Sequence, residues 1–171
     1  MTAGTASCGA EPQHEGWLFT GRHAVLQRIV AWMGGGTPGA LVVTGPAGSG
    51  KSAVVNRIVA LSDPDRRKEL LAHGPAGPDP GAGAVDASVD LRGMDEQDLA
   101  VALAGQLGLR QPQAGWQLIA DLTRMPSPPT LVLDGLDNAI PEHLDKMATE
   151  LLVALGTVAR VLLTTQQQEF L

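Results

Sequence analysis

The stretch Ala40-Leu41-Val42-Val43-Thr44, followed by Gly45-Pro46-Ala47-Gly48-Ser49-Gly50-Lys51-Ser52, constrains this chain more than any other. An apolar run rich in β-branched residues stops at a glycine, and Lys51-Ser52 then opens a segment of helical periodicity. Strand, G-x-x-x-x-G-K-[ST] loop, helix is the arrangement that wraps backbone around phosphate oxygens. Glycines let the chain curl so that N–H groups point inward, where side chains would otherwise block approach. The helix adds its unpaired first N–H groups and the positive end of its dipole. All eight loop positions from Gly45 to Ser52 are therefore candidate nucleotide-binding residues. Lys51 is placed to reach the β- and γ-phosphates, and the Ser52 hydroxyl to ligate Mg²⁺.

The 171 residues suit one domain. Hydrophobic residues are 44% but aromatics only 3%, so the core must be aliphatic, built from Leu, Val and Ala. Net charge is −6 and the 12 Lys and Arg form no stripe, so a nucleic-acid groove gets no support. The cluster Arg66-Arg67-Lys68 lies between Asp65 and Glu69 and reads as a solvated helix face. Cys8 is the single cysteine, so no intrachain disulfide forms. No apolar run approaches the length of a membrane span and no signal peptide opens the chain. A cytoplasmic setting follows as the expectation.

Residues 1–15 are small and polar without period and are expected to be a flexible leader; residues 16–171 make up the domain. Leu26, Ile29, Val30 and Met33 recur at helical spacing up to Gly34-Gly35-Gly36. After the loop come a helix over 52–61 and a second helix N-capped by Asp63 with Pro64 at its first position. Residues 74–83 read as a surface linker rich in Gly and Pro. A second strand is expected over Ala84–Leu91, where Asp86 and Asp90 fit a solvent-facing edge better than metal ligands. Asp95 and Asp98 form a capping-box variant for the next helix. A helix near Gly115–Arg124 presents Trp116, Ile119 and Leu122. Thr130–Asp134 reads as a strand buried on both faces. Pro141 starts a helix closed by Gly156, and Ala159–Thr165 is the last strand. Strands alternating with helices of this length predict an α/β domain with a parallel sheet.

A phosphate loop needs a counterpart that holds Mg²⁺ and orients water. Asp134 ends a buried strand, where open α/β sheets place their ligand chemistry, and it fits a Walker-B aspartate beside Ser52. Asp137 follows in Asp134-Gly135-Leu136-Asp137-Asn138 and is the candidate for orienting the attacking water. Thr164 and Thr165 end the last strand at the same sheet edge, and Thr164 is placed to touch the γ-phosphate or its water.

Phe19-Thr20-Gly21-Arg22, the 45–52 loop, the segment 131–137 and the segment 160–165 occur in an order that resembles the STAND class of signalling ATPases. That class includes the NACHT and NB-ARC groups, relatives of AAA+ proteins. Val89-Asp90-Leu91-Arg92-Gly93 before an acidic helix is similar to actinobacterial members. The resemblance covers residues 17–165 and implies a three-layer P-loop NTPase core with strand order 5-1-4-3-2. It implies a switch that is closed with ADP and assembles with ATP, with Mg²⁺ as cofactor and homo-oligomer partners. It also places Phe19, Gly21 and Arg22 beside the adenine, Asp134 at Mg²⁺ and Asp137 at hydrolysis. Asn138 stands where an acid usually follows, and Gln166 where an arginine usually does, so binding is expected to outlast efficient turnover. Four strands are countable in the sequence. Either the chain is a fragment, with the fifth strand, a helical lid and further domains of a longer parent chain beyond Leu171, or it is a minimal domain that leaves its sheet open beside the first strand; the fragment is the expectation. Two other readings stand beside this one, a degenerate nucleotide-sensing scaffold and a small P-loop kinase. A kinase would need an arginine-bearing lid, and residues 74–83 contain no arginine.

Overall fold

The computed structural model describes residues 22–72 and 77–166. The leader, Cys8, the segment from Trp17 to Gly21 and the last five residues lie outside the described residues, so the expectations placed on Phe19 and Gly21 concern positions not described. The same holds for residues 73–76 of the expected linker.

The elements follow in the order α1 (His23–Met33), β1 (Gly39–Thr44), α2 (Lys51–Ser62), α3 (Pro64–Ala72), β2 (Ala87–Asp90), α4 (Glu96–Gln106), α5 (Gly115–Thr123), β3 (Thr130–Asp134), a 3₁₀ turn (Leu136–Asn138), α6 (Pro141–Lys146), a π-helical turn (Met147–Leu152), α7 (Val153–Val158) and β4 (Arg160–Thr165). The four strands form one parallel sheet in the order β1-β4-β3-β2. Among the described residues this is the 5-1-4-3-2 order without its fifth strand. β4, last in sequence, lies between β1 and β3, and that insertion brings the ends of three strands to one edge.

Alternation along the strands divides the core between two faces. Leu131, Leu133, Val161 and Leu163 pack with Leu99, Leu103, Leu118, Leu122, Met147 and Leu155 of α4, α5 and the α6–α7 rod. Val132 and Leu162 face the other way, onto Leu26, Ile29, Val54, Val55 and Ile58 of α1 and α2. Both faces being covered explains why Thr130-Leu131-Val132-Leu133 is fully buried and shows no polar alternation. The buried hydrophobic residues are all Leu, Ile, Val, Met or Ala, as the scarcity of aromatics requires. Trp116 departs from its expected role: it is 70% exposed, while Leu118 and Leu122 supply the inner face of α5.

Capping residues act where the sequence places them. Asp63 Oδ1 accepts from the N–H groups of Asp65 and Arg66 at 2.9 and 3.0 Å and starts α3. Asp95 Oδ1 accepts from Gln97 and Asp98 N–H, both at 2.8 Å, and Asp98 returns the bond to Asp95 N–H, a complete capping box.

Several expectations are corrected. Arg67 is not a solvated helix side chain: its guanidinium forks onto the Asp79 carboxylate and also donates to the Leu61 carbonyl at 3.2 Å. The pairing raises the Arg67 pKa and lowers that of Asp79. With Gly83 N–H donating to Ser62 O at 2.7 Å, it holds residues 79–83 against the end of α2, so this part of the expected linker is a packed return. Strand β2 begins at Ala87 rather than Ala84. Asp86 instead turns its carboxylate to Thr130 N–H at 2.7 Å, capping the start of β3. Gly156 does not close the last helix, which runs on to Val158 through a π turn. The wider turn lets Met147, Leu151 and Leu152 all reach the core.

Candidate nucleotide site

Thr44 ends β1 in register with Thr165 of β4, and Gly45 opens the loop immediately afterwards. Gly50 caps α2 at φ 78°, in the left-handed region that favours glycine. A Cβ there would also lie 2.0 Å from a guanidinium nitrogen of Arg22. Residue 50 is thus glycine for two reasons, and Arg22, at the foot of α1, is brought against the phosphate loop. No side chain caps the first turn of α2, which leaves its leading N–H groups directed at the loop's concave side. Lys51 Nζ donates to the carbonyls of Gly45 at 2.6 Å and Pro46 at 3.1 Å, so its ammonium lies inside the curl of the loop.

The two distant motifs meet. Ser52 Oγ donates to Asp134 Oδ1 at 3.2 Å. This pair fits Mg²⁺, a hard cation that takes one or two carboxylates and completes its shell with water and phosphate oxygens. Among the described residues no group of three or more His, Cys, Asp or Glu could hold a metal.

Thr164, expected at the γ-phosphate, is buried and turned toward Asp134. Its hydroxyl donates to Asp134 Oδ1 at 2.5 Å and accepts from Gly135 N–H at 2.7 Å. It orients the Asp134 carboxylate from behind. Asp137, expected at the attacking water, is carried by the 3₁₀ turn to the end of β4. There Oδ1 accepts from the Thr165 hydroxyl at 2.7 Å, and both oxygens accept from Gln166 N–H, at 2.9 and 2.7 Å. Sequence reasoning missed this second pairing. The adjacent hydroxyls of Thr164 and Thr165 were its signal, since neighbouring strand residues point to opposite faces and must serve different partners.

The sequence matches the AAA domain family over residues 35–169. The chain belongs to that family. Membership in this AAA-type P-loop family suggests nucleotide binding. Among solved structures, this AAA domain is similar in fold to a chain of Drosophila ORC bound to DNA, with TM-score 0.50 and 15% identity, over 98% of this chain and 48% of that one. A chain from Drosophila ORC bound to GC-rich DNA and Cdc6 gives TM-score 0.43 and 12% identity, over 94% and 56%. The chain therefore spans about half the length of these ORC chains. No curated protein matches it. Among the described residues no helix is long and apolar enough to cross a membrane.

Proposed function

We propose that this AAA domain is the nucleotide-binding core of a STAND-type switch that binds ATP or ADP with Mg²⁺ and hydrolyses ATP slowly. The observation that carries the reading is the 3.2 Å contact between Ser52 and Asp134, beside an ammonium already held inside the phosphate loop. Lys51 would neutralise the β- and γ-phosphates, the loop and α2 N–H groups would donate to their oxygens, and Ser52 with Asp134 would hold the cation. Bound there, Mg²⁺ would supply charge neutralisation of the phosphates. Arg22, against Gly50, adds a second cation at the loop. Asn138 and Gln166, in place of an acid and an arginine, favour holding a nucleotide over turning it over. The same departures favour the degenerate sensing scaffold as a second reading, one in which output is assembly with other domains of a longer chain or with further copies. The DNA of the Drosophila ORC structure forms no part of the proposal, because this chain carries net charge −6 without a basic stripe.

Calorimetric titration with ADP and ATP, each with Mg²⁺ and with EDTA, tests the reading, together with phosphate release. Tighter binding with Mg²⁺ and slow release to water are expected. Affinity indifferent to Mg²⁺, or phosphate transfer to a metabolite without release to water, would overturn it.

A further inference from the structure

Asp137 presents a carboxylate whose hydrogen-bonding capacity is already largely spent. A carboxylate offers about four lone-pair sites, and here Thr165 Oγ1 and a forked Gln166 N–H engage three of them. The side chain is held out by a single 3₁₀ turn closed by Asn138 N–H to Gly135 O at 2.9 Å. Gly135, at φ 77°, turns the chain between the two aspartates, and its own N–H is spent on Thr164. The loop after β3 is thus stitched to β4 by two consecutive threonines that leave the strand in opposite directions. Thr164 serves Asp134 and Thr165 serves Asp137.

We propose that Asp137 is a positioning residue: its carboxylate clamps the end of β4 to the loop after β3 and thereby keeps the Thr164 hydroxyl against the metal-side carboxylate of Asp134. The physical case is one of register. Thr164 lies one residue before the clamped pair Thr165–Gln166, so a slip of the strand end withdraws its hydroxyl from Asp134. Asp134 Oδ1, which also accepts from Ser52, then loses the donor that fixes its direction. Ligand orientation by hydrogen-bonded partners commonly governs metal affinity by tenfold or more. Asp137 accordingly acts on the cation without touching it, and Gln166 contributes through its backbone N–H, which any residue at that position supplies.

The inference rests on the reading of Ser52 and Asp134 as the cation side of a nucleotide site, and its test separates the two. The full chain is compared with Asp137→Asn, Thr165→Val and Thr165→Ser by amide hydrogen exchange at Gln166, and by ADP titration with Mg²⁺ and with EDTA. In D137N and T165V we expect Gln166 exchange to quicken tenfold or more and the Mg²⁺-dependent gain in ADP affinity to fall about tenfold. Binding in EDTA should hold, and T165S, which keeps the hydroxyl, should restore both readouts. Unchanged Gln166 exchange in D137N overturns the clamp. So does a D137N chain that loses phosphate release while T165V keeps release and its full Mg²⁺ gain, since Asp137 would then act on water. If the parent chain binds no ADP, the nucleotide reading falls, while faster Gln166 exchange in D137N and T165V would still establish the clamp.

Discussion

The Ser52 hydroxyl lies 3.2 Å from Asp134 Oδ1, joining the first turn of α2 to the end of β3 across 82 positions of sequence. That contact follows from β4 sitting between β1 and β3, with its last residues in register with the end of β1 and its pairing to β3 running to Leu133 and Leu163. It also requires Thr164, buried behind the carboxylate, to set its direction. One strand order thus brings the loop after β1 and the aspartate that ends β3 together.

Ser52→Ala removes one of the two residues assigned to Mg²⁺ and leaves the loop backbone intact. ADP affinity in the presence of Mg²⁺ should weaken about tenfold, about 1.4 kcal/mol, while affinity in EDTA changes little. Paired calorimetric titrations measure both, and an equal loss in the two conditions would place Ser52 in phosphate binding alone.

Gly50→Ala meets two obstacles, a left-handed backbone at φ 78° and the Arg22 guanidinium 2.0 Å from the new Cβ. The backbone alone should cost about 1–2 kcal/mol, read from urea unfolding. Adding Arg22→Ala relieves the contact but not the dihedral, so the double variant should recover part of the loss and no more.

Glu96, in the first turn of α4, accepts from Lys146 and, at 2.9 Å, bonds His143 Nδ1. It ties the start of α4 to α6. The Lys146 ammonium, more than any other neighbour, lowers its pKa to about 2 from an ordinary 4.5. A depressed carboxylate stabilises the fold fully above its unfolded value and loses that contribution as pH falls from about 5 toward 2. Glu96→Gln should cost about 1–2 kcal/mol at pH 7 and flatten the decline in stability over that acid range. Denaturant midpoints at pH 7, 5 and 3 check it; parallel declines for the two chains would dismiss the contribution.

Much of the fold was legible because its signals are local. The run into Gly45, the caps at Asp63 and Asp95, and the unalternating Thr130–Asp134 strand each state their own structure. The aliphatic core followed from composition. Properties that depend on partners remote in sequence were not legible. Nothing in Arg66-Arg67-Lys68 shows that Asp79 returns to meet Arg67, and nothing in the last helix announces a π turn. Gly156 read as a stop because glycine is a poor helix former, yet packing of Leu155 carries the helix past it. At the site, the meeting of Ser52 with Asp134 was legible, because each lies where its element reaches the same sheet edge, but the hydrogen-bond partners of Thr164 and Asp137 were not. The hydrogen bonds of Thr164 and Asp137 go to Asp134 and to the end of β4, partners that no local pattern announces.

The most direct measurement is calorimetric titration of ADP with Mg²⁺ into the chain and into Lys51→Ala, with circular dichroism to verify that both are folded. Measurable binding by the parent chain is expected, with a loss of tenfold or more, at least about 1.4 kcal/mol, in the variant. Equal ADP affinity in the two folded chains would contradict the phosphate loop at its central residue.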